Sequence, residues 1–268
     1  MKFTIFGSRG FIGRNLARFL QAKGHAVSAV DRSTVVPAGA HLGHVVYAIG
    51  LTADFRGRPA ETIDAHVGVM TRLMQRAQFD SWLYLSSTRV YAGLAAGVPA
   101  TETVPVPVSP SADSLYELSK LLGEAYCLGF DHPNTRVARL SNVYGPDQGG
   151  ASFLGAVIDE ARRAGAVTIR EDASSSKDYI AIEDVVALLA GIAVQGKQRL
   201  YNVASGASTQ HADLARELGR LTGARITFDS NAVHRSFPAI DNARVSAEFA
   251  FQPRRIIDDL PRILDQWR

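Results

Sequence analysis

The chain has 268 residues and a formal net charge of +3, enough for one large domain or two small ones with a sizeable core. Its basic residues are scattered, which excludes the concentrated patch of a nucleic-acid binder, and no apolar run approaches the ~20 residues of a membrane span. The single cysteine, Cys127, excludes an internal disulfide, and the start lacks a signal-peptide pattern, so a cytoplasmic protein is expected.

Lys2 to Phe6 is a short apolar strand. Gly7-Ser8-Arg9-Gly10-Phe11-Ile12-Gly13 follows, then a helical pattern with Ile12, Leu16 and Leu20 on one side. Strand, glycine loop and helix in this order read as a dinucleotide site. Gly7 allows the tight turn, Gly10 lets the backbone approach a pyrophosphate, and Gly13 lets the helix pack on the strand. Arg9, Phe11 and Ile12 belong to the same cofactor loop, whose helix start offers N–H groups to phosphates.

Ala26 to Val30 is a second strand, ending at Asp31. An acidic residue about 20 positions past the glycines accepts hydrogen bonds from an adenosine ribose and repels a 2′-phosphate, which favours NAD. Arg9 and Arg32 pull the other way, since either can face the 2′-phosphate of NADP. Val45 to Ile49 is a buried-strand pattern, with His41 and His44 as strand-edge residues. Glu61 to Ala77 is a helix whose stripe Ile63, Val67, Met70, Met74 suits core or a dimer face.

Trp82 to Ser87 is a strand running into the polar loop Thr88-Arg89. Such loops sit at the carboxyl ends of parallel strands, where ligands bind. A proline-rich stretch from Gly97 to Pro110 leads to a helix that Ser111 or Asp113 can cap. That helix carries Tyr116-Glu117-Leu118-Ser119-Lys120. Four residues is about one turn, so Tyr116 and Lys120 share a face. A nearby cation favours the phenolate and suits the tyrosine to moving a proton between a hydroxyl and a carbonyl. Taken alone, that spacing arises often by chance.

Arg136 to Leu140 reads as a strand and Phe153 to Ile158 as the start of a helix. Ser174 to Ser176 reads as a flexible loop, a linker or a lid. Glu183–Ala193, His211–Leu221 and Ile256–Trp267 read as helices, and Ile226–Phe228 as a short strand. There is no internal repeat and no metal-ligand spacing.

The ordered set of motifs resembles an extended short-chain dehydrogenase/reductase of the NAD-dependent epimerase/dehydratase family. The matching pieces are the glycine loop, Asp31, Ser86-Ser87 leading to Val90-Tyr91, Thr101-Glu102-Thr103, and Tyr116 with Lys120. They continue with Arg139 to Pro146, Lys177-Asp178-Tyr179 and Tyr201 to Gly206. The resemblance implies an α/β fold, a doubly wound parallel Rossmann sheet with a small C-terminal substrate-binding lobe. Residues 1–147, joined by 177–206, would form the NAD(P)-binding domain, and 148–176 with 207–268 the lobe. It also implies a homodimer paired through the helices at 61–77 and 113–128.

Carried over by motif, Tyr116 is the acid/base, Lys120 lowers its pKa and holds the nicotinamide ribose, and Ser87 orients the substrate hydroxyl. Ser87, Thr88 and Asn142 would meet the substrate. Lys177 stands where many relatives place an arginine on the substrate diphosphate, losing the bidentate fork. Arg235 falls where the family often has another such arginine. Sugar 4,6-dehydratases carry an Asp-Glu pair directly after the catalytic hydroxyl, where this chain has Thr88 and Arg89. Combined 3,5-epimerase/reductases use a cysteine and a histidine, but Cys127 lies beyond Lys120 on the same helix.

The expectation is therefore an NAD-dependent 4-epimerase of a nucleotide-activated sugar. The alternatives are an NAD(P)-dependent reductase or dehydrogenase of a keto sugar or other carbonyl compound, and a non-catalytic dinucleotide-binding sensor. Between Asp31 and Val45 there is little room for the usual strand and helix, so the sheet is expected to lose or trim an element.

Overall fold

Strand β1 (Lys2–Phe6) buries every residue but the first, as a strand covered on both faces must. The computed structural model, which describes residues 1–31, 34–52, 54–150, 152–235 and 237–267, builds a six-stranded sheet around it. β1 is flanked by β2 (Ala26–Val30) and β3 (His44–Tyr47), and the sheet continues through β4 (Ser81–Ser87), β5 (Thr135–Leu140) and β9 (Leu200–Val203). The order is β2-β1-β3-β4-β5-β9, and every pairing is parallel. With the 31–45 connection so short, β2 is left as the sheet's edge.

Helices cover both faces. On one side α1 (Phe11–Ala22) and α6 (Ile182–Gln195) bury Leu16, Leu20, Leu189 and Ile192 against Phe3, Ile5 and Leu83. On the other, Met70, Met74 and Cys127 pack with Tyr47, Trp82 and Tyr84. These come from α3 (Val69–Met74) and α4 (Leu115–Gly129).

The helix expected over 61–77 is broken by a π turn at Asp64–Gly68 between α2 (Pro59–Ile63) and α3. Its apolar stripe divides accordingly: Met70 and Met74 are core, while Ile63 is 45% exposed. The cap of α4 also differs from expectation. Ser114 occupies the N-cap position without a side-chain capping bond. Ser111 bonds to Ser114, and Asp113 pairs with Arg56.

The remaining elements are β6 (Asn142–Tyr144), α5 (Phe153–Ala164), β7 (Ala166–Glu171), β8 (Ser176–Ala181), β10 (Ser208–Gln210), α7 (His211–Thr222), β11 (Arg225–Val233), α8 (Ala243–Phe249) and α9 (Ile256–Gln266). Here β8 lies between β10 and β6 in a separate three-stranded sheet, and β11 pairs with β7. A second apolar core forms from Tyr144, Leu154, Ile158, Tyr179, Leu218, Leu260 and Trp267. Within 177–206, α6 and β9 return to the main sheet and β8 does not.

The run Ser174–Ser176 begins in an exposed turn at Ser174 and is anchored over its last two residues. Ser175 is fully buried, its Oγ accepts from the Arg235 N–H at 2.9 Å, and Ser176 begins β8. No helix among the described residues is long and apolar enough to cross a membrane.

Candidate active site

The loop after β1 leaves no space for side chains at its first and third glycines. Gly7 has φ +83°, and a Cβ there would lie 2.7 Å from the Ala48 carbonyl oxygen. A Cβ on Gly13 would overlap the Gly7 carbonyl. Gly10 donates its N–H to that same carbonyl at 3.0 Å and stands as the N-cap of α1 with no capping side chain. The first-turn N–H groups thus face an open cleft, the arrangement that receives a pyrophosphate. Gly10 to Gly13 line that cleft, and the close glycine turn with its free helix start fits a dinucleotide.

At the far end of the loop, Asp31 is ion-paired with Arg9, and Thr34 Oγ1 donates to its carboxylate at 3.1 Å. Arg32 lies outside the described residues.

A cleft of about 500 Å³ runs from Gly10–Gly13 across the ends of β3, β4 and β5. At its centre β4 ends on Ser87, whose Oγ accepts the Arg89 N–H at 3.2 Å. Tyr116, in the first turn of α4, lines the same part of the cleft, where the Ser87 hydroxyl opposes the rise in its pKa. The expectation that Lys120 depresses the Tyr116 pKa is not met here. Burial raises the Tyr116 pKa, and the groups that oppose burial are Ser87 and the Arg89 guanidinium. Lys120 Nζ is turned to the Leu85 carbonyl, 2.8 Å away.

Lys120 is itself held down to about 7, chiefly by burial, with the Glu124 carboxylate working against the shift. This lysine sheds its proton near pH 7 when folded and keeps it to about pH 10.4 when unfolded. Between those values the unfolded chain binds more protons, so stability should rise with pH across the window and fall as pH drops towards 7. Lys120→Met has no charge to bury. Urea unfolding at pH 7 and pH 9 should show a wild-type gain on the order of 1 kcal/mol larger than the variant's; equal gains would refute this assignment.

Beside the pair sits His66, which sequence reasoning missed. The π turn points its ring into the core, where it meets the Tyr116 ring edge-on at 5.3 Å. Nε2 accepts the Leu51 N–H at 3.3 Å, which leaves Nδ1 as the donor to Ser119 Oγ at 2.8 Å. Ser119 Oγ then donates to the Tyr116 carbonyl. Burial, reinforced by the Lys120 charge, lowers the His66 pKa to about 3, so the ring is a neutral strut between the 50–51 loop and α4. A signal was present: His66 lies four residues before Met70, on the side of the helix that turns inward. π turns interrupt helices frequently at functional sites.

A buried polar chain supports the end of β4. Arg139 on β5 binds Glu124 on α4 through Nη2 at 2.6 Å and Nε at 2.9 Å. Ser86 donates to the same carboxylate. Arg139 Nη1 reaches Tyr91 OH at 2.7 Å, and that hydroxyl bonds Asn202.

The family model described as the NAD dependent epimerase/dehydratase family matches residues 3–58 and 40–204. The chain belongs to that family. A UDP-glucose 4-epimerase of Mycolicibacterium smegmatis is 30% identical, covering 84% of this chain and 83% of that protein. Among solved structures, MoeE5 in complex with UDP-glucose and NAD superposes with a TM-score of 0.82 at 23% identity, covering 99% of this chain and 98% of that one. RMD from Pseudomonas aeruginosa complexed with NADPH gives 0.82 at 23% identity, covering 100% and 99%. At these identities the structural matches establish the fold.

As a member of this family the protein is an NAD-dependent enzyme, and its cleft gathers most of the expected site residues. Gly10, Phe11, Ile12, Gly13, Ser87, Thr88, Tyr116, Lys120 and Asn142 line it. Gly7 lies beneath the loop, and Arg9 and Asp31 stand beyond the described lining. Asn142 is oriented by its Nδ2 bond to the Asp178 carbonyl at 2.9 Å.

Lys177 and Arg235 are not among the described lining residues. Lys177 is buried, with Nζ 3.0 Å from Glu171 Oε1 and 4.2 Å from the Phe153 ring centroid, so its charge is already matched. Gln148, Ser152, Phe237 and Pro238, which the sequence did not single out, line the outer wall.

Proposed function

We propose that this enzyme is a 4-epimerase of a nucleotide-activated sugar. The observation that carries the reading is the Tyr116–Ser87 hydroxyl pair at the centre of the cleft, followed by Thr88 and Arg89 where a 4,6-dehydratase would carry its acid pair. With no carboxylate there to protonate a leaving hydroxyl, the chemistry left to the site is reversible oxidation at a carbinol carbon.

Tyr116 takes the proton of the sugar hydroxyl, and Ser87 holds that oxygen in line. Bound NAD would accept the hydride from the same carbon, return it to either face, and bring a positive charge into the cleft. That charge joins Arg89 in favouring the Tyr116 phenolate against its burial. After the keto sugar turns over, Tyr116 gives the proton back, and neither electrons nor atoms are lost. The outer wall from Asn142 to Pro238 and the second core suit residues 148–176 and 207–268 to the role of substrate lobe. Asp31 supports NAD. The rival reductase reading keeps one observation, the Arg9 guanidinium against the carboxylate that would exclude a 2′-phosphate.

The test is a panel of UDP-, dTDP-, CDP- and GDP-sugars incubated with catalytic NAD and read by NMR alongside absorbance of the reduced nicotinamide. A new C4 epimer without lasting NADH is expected. Net NADH formation, or consumption of added NADPH by a keto sugar, would replace the epimerase with the oxidoreductase. We also infer a homodimer, supported by the exposed apolar side chains of Ile63 on α2 (45%) and Leu122 on α4 (56%). Light scattering should give twice 28.9 kDa, and the mass of one chain would refute it.

A further inference from the structure

We propose that Arg89 makes the cleft select a sugar with a carboxylate on the carbon next to the reacting one, that is, a nucleotide-linked hexuronic acid. This rests on the nucleotide-sugar reading and names the class of sugar.

Arg89 follows Ser87 by two residues, in the short turn that ends β4. Its guanidinium carbon lies 5.2 Å from the Tyr116 ring centroid and 5.1 Å from that of Phe55. The two ring centroids are 5.6 Å apart, so the guanidinium packs against both rings from one side. Glu117 fixes it further, accepting from Nε. That bond uses one donor of five. No hydrogen bond among the described residues engages Nη1 or Nη2. The side chain is 36% exposed, and the residue lines the cleft with Ser87 and Tyr116.

The other charges on the lining are committed elsewhere. Lys120 Nζ is bound to the Leu85 carbonyl. The Asp178 carboxylate accepts from the Ser205 backbone and hydroxyl and from Ala207 N–H. Arg89 is therefore the charged group with donors to spare beside the reacting oxygen. Arg89 lines the same cleft as Ser87 and Tyr116, with its guanidinium carbon 5.2 Å from the Tyr116 ring centroid, within about one sugar ring of the oxygen that Tyr116 would hold.

Two parallel N–H donors on a rigid plane match a carboxylate, which both can bind at once. A neutral hydroxymethyl group at that point accepts from one donor and leaves the second, partly dehydrated, without a partner. Because the rings and Glu117 have already fixed the guanidinium, little side-chain freedom remains to be lost on binding. Glu117 offsets part of the charge without occupying the fork.

The experiment is calorimetric titration of the full chain, with NAD present, using matched pairs: UDP-glucuronate against UDP-glucose, and dTDP-glucuronate against dTDP-glucose. The pair that binds more tightly is the one read. Wild type should bind the uronate about 10- to 100-fold more tightly than its neutral partner. Arg89→Ala should bring that ratio close to one, and Arg89→Lys, with charge but no fork, should keep part of it. A ratio near one in the wild type, or a ratio that survives Arg89→Ala, overturns the proposal while leaving the nucleotide-sugar reading standing. If no member of either pair binds, both readings fall. The wild-type ratio decides without any variant, so a poorly folding Arg89→Ala does not shelter the idea.

Discussion

Tyr116→Phe should lower the turnover number by about 10²–10⁴-fold, the usual worth of a positioned proton-transfer group, and leave cofactor binding within about twofold. The substitution keeps the ring that meets His66 edge-on at 5.3 Å and Phe55 at 5.6 Å. It removes only the hydroxyl that Ser87 acts on. Because the proposed role puts that oxygen on the reacting group and away from the glycine loop, the loss should appear in turnover and not in the NAD dissociation constant. A stopped-time NMR assay on the sugar identified by the panel, paired with calorimetry for NAD, separates the two. Residual turnover within tenfold of wild type would remove Tyr116 from the role of acid/base. Ser87→Ala should have the smaller effect, since it orients the hydroxyl without carrying its proton away.

The parts of this molecule that could be read from the sequence are those where one residue type is physically compelled. Gly7 needs positive φ and has Ala48 backbone at its Cα, and Gly13 touches the Gly7 carbonyl, so only glycine serves and the spacing is rigid. The central strands were legible because burial on both faces demands continuous apolar runs such as Trp82-Leu83-Tyr84-Leu85. Tyr116 and Lys120 stood out through the order of motifs around them. Their electrostatics did not follow from spacing: at one helical turn the lysine was expected to charge the tyrosine, yet it bonds the Leu85 carbonyl. The cation that opposes burial at Tyr116 comes from Arg89, on another element.

The small lobe was the least legible region. Its β10 is Ser-Thr-Gln, with no apolar residue to betray it, and the nine residues of β11 are all at least partly exposed. β7 did carry the alternation of a half-buried strand, with Val167 and Ile169 inward, but its six residues alone do not set a partner. The pairing of Lys177 with Glu171 is equally invisible in one dimension. Six positions apart on different strands, the two meet only because β7 and β8 bring them to the same buried spot beside Phe153. The position expected to hold a diphosphate became an internal ion pair.

Arg139→Leu should destabilise the fold by about 3–5 kcal/mol, because it leaves Glu124 as a buried carboxylate with no cation. Both side chains are near 5% exposed, so water cannot take over the lost partner. At this chain length such a change corresponds to a fall in melting temperature on the order of 10 °C. The double variant Arg139→Leu with Glu124→Leu should recover much of that loss, since the cost lies in the unpaired charge more than in the missing attraction. Tyr91 keeps Asn202 as a partner in either variant. Ser86, however, loses its acceptor in the double variant, and Ser86 precedes Ser87, the residue proposed to orient the substrate oxygen. The double variant should thus regain stability without regaining full turnover, because the pair fixes the end of β4 as well as filling space beneath it. Thermal melts and turnover measured well below the transition distinguish these. If Arg139→Leu melts within about 2 °C of wild type, the Glu124–Arg139 pair is not the support that the geometry assigns it.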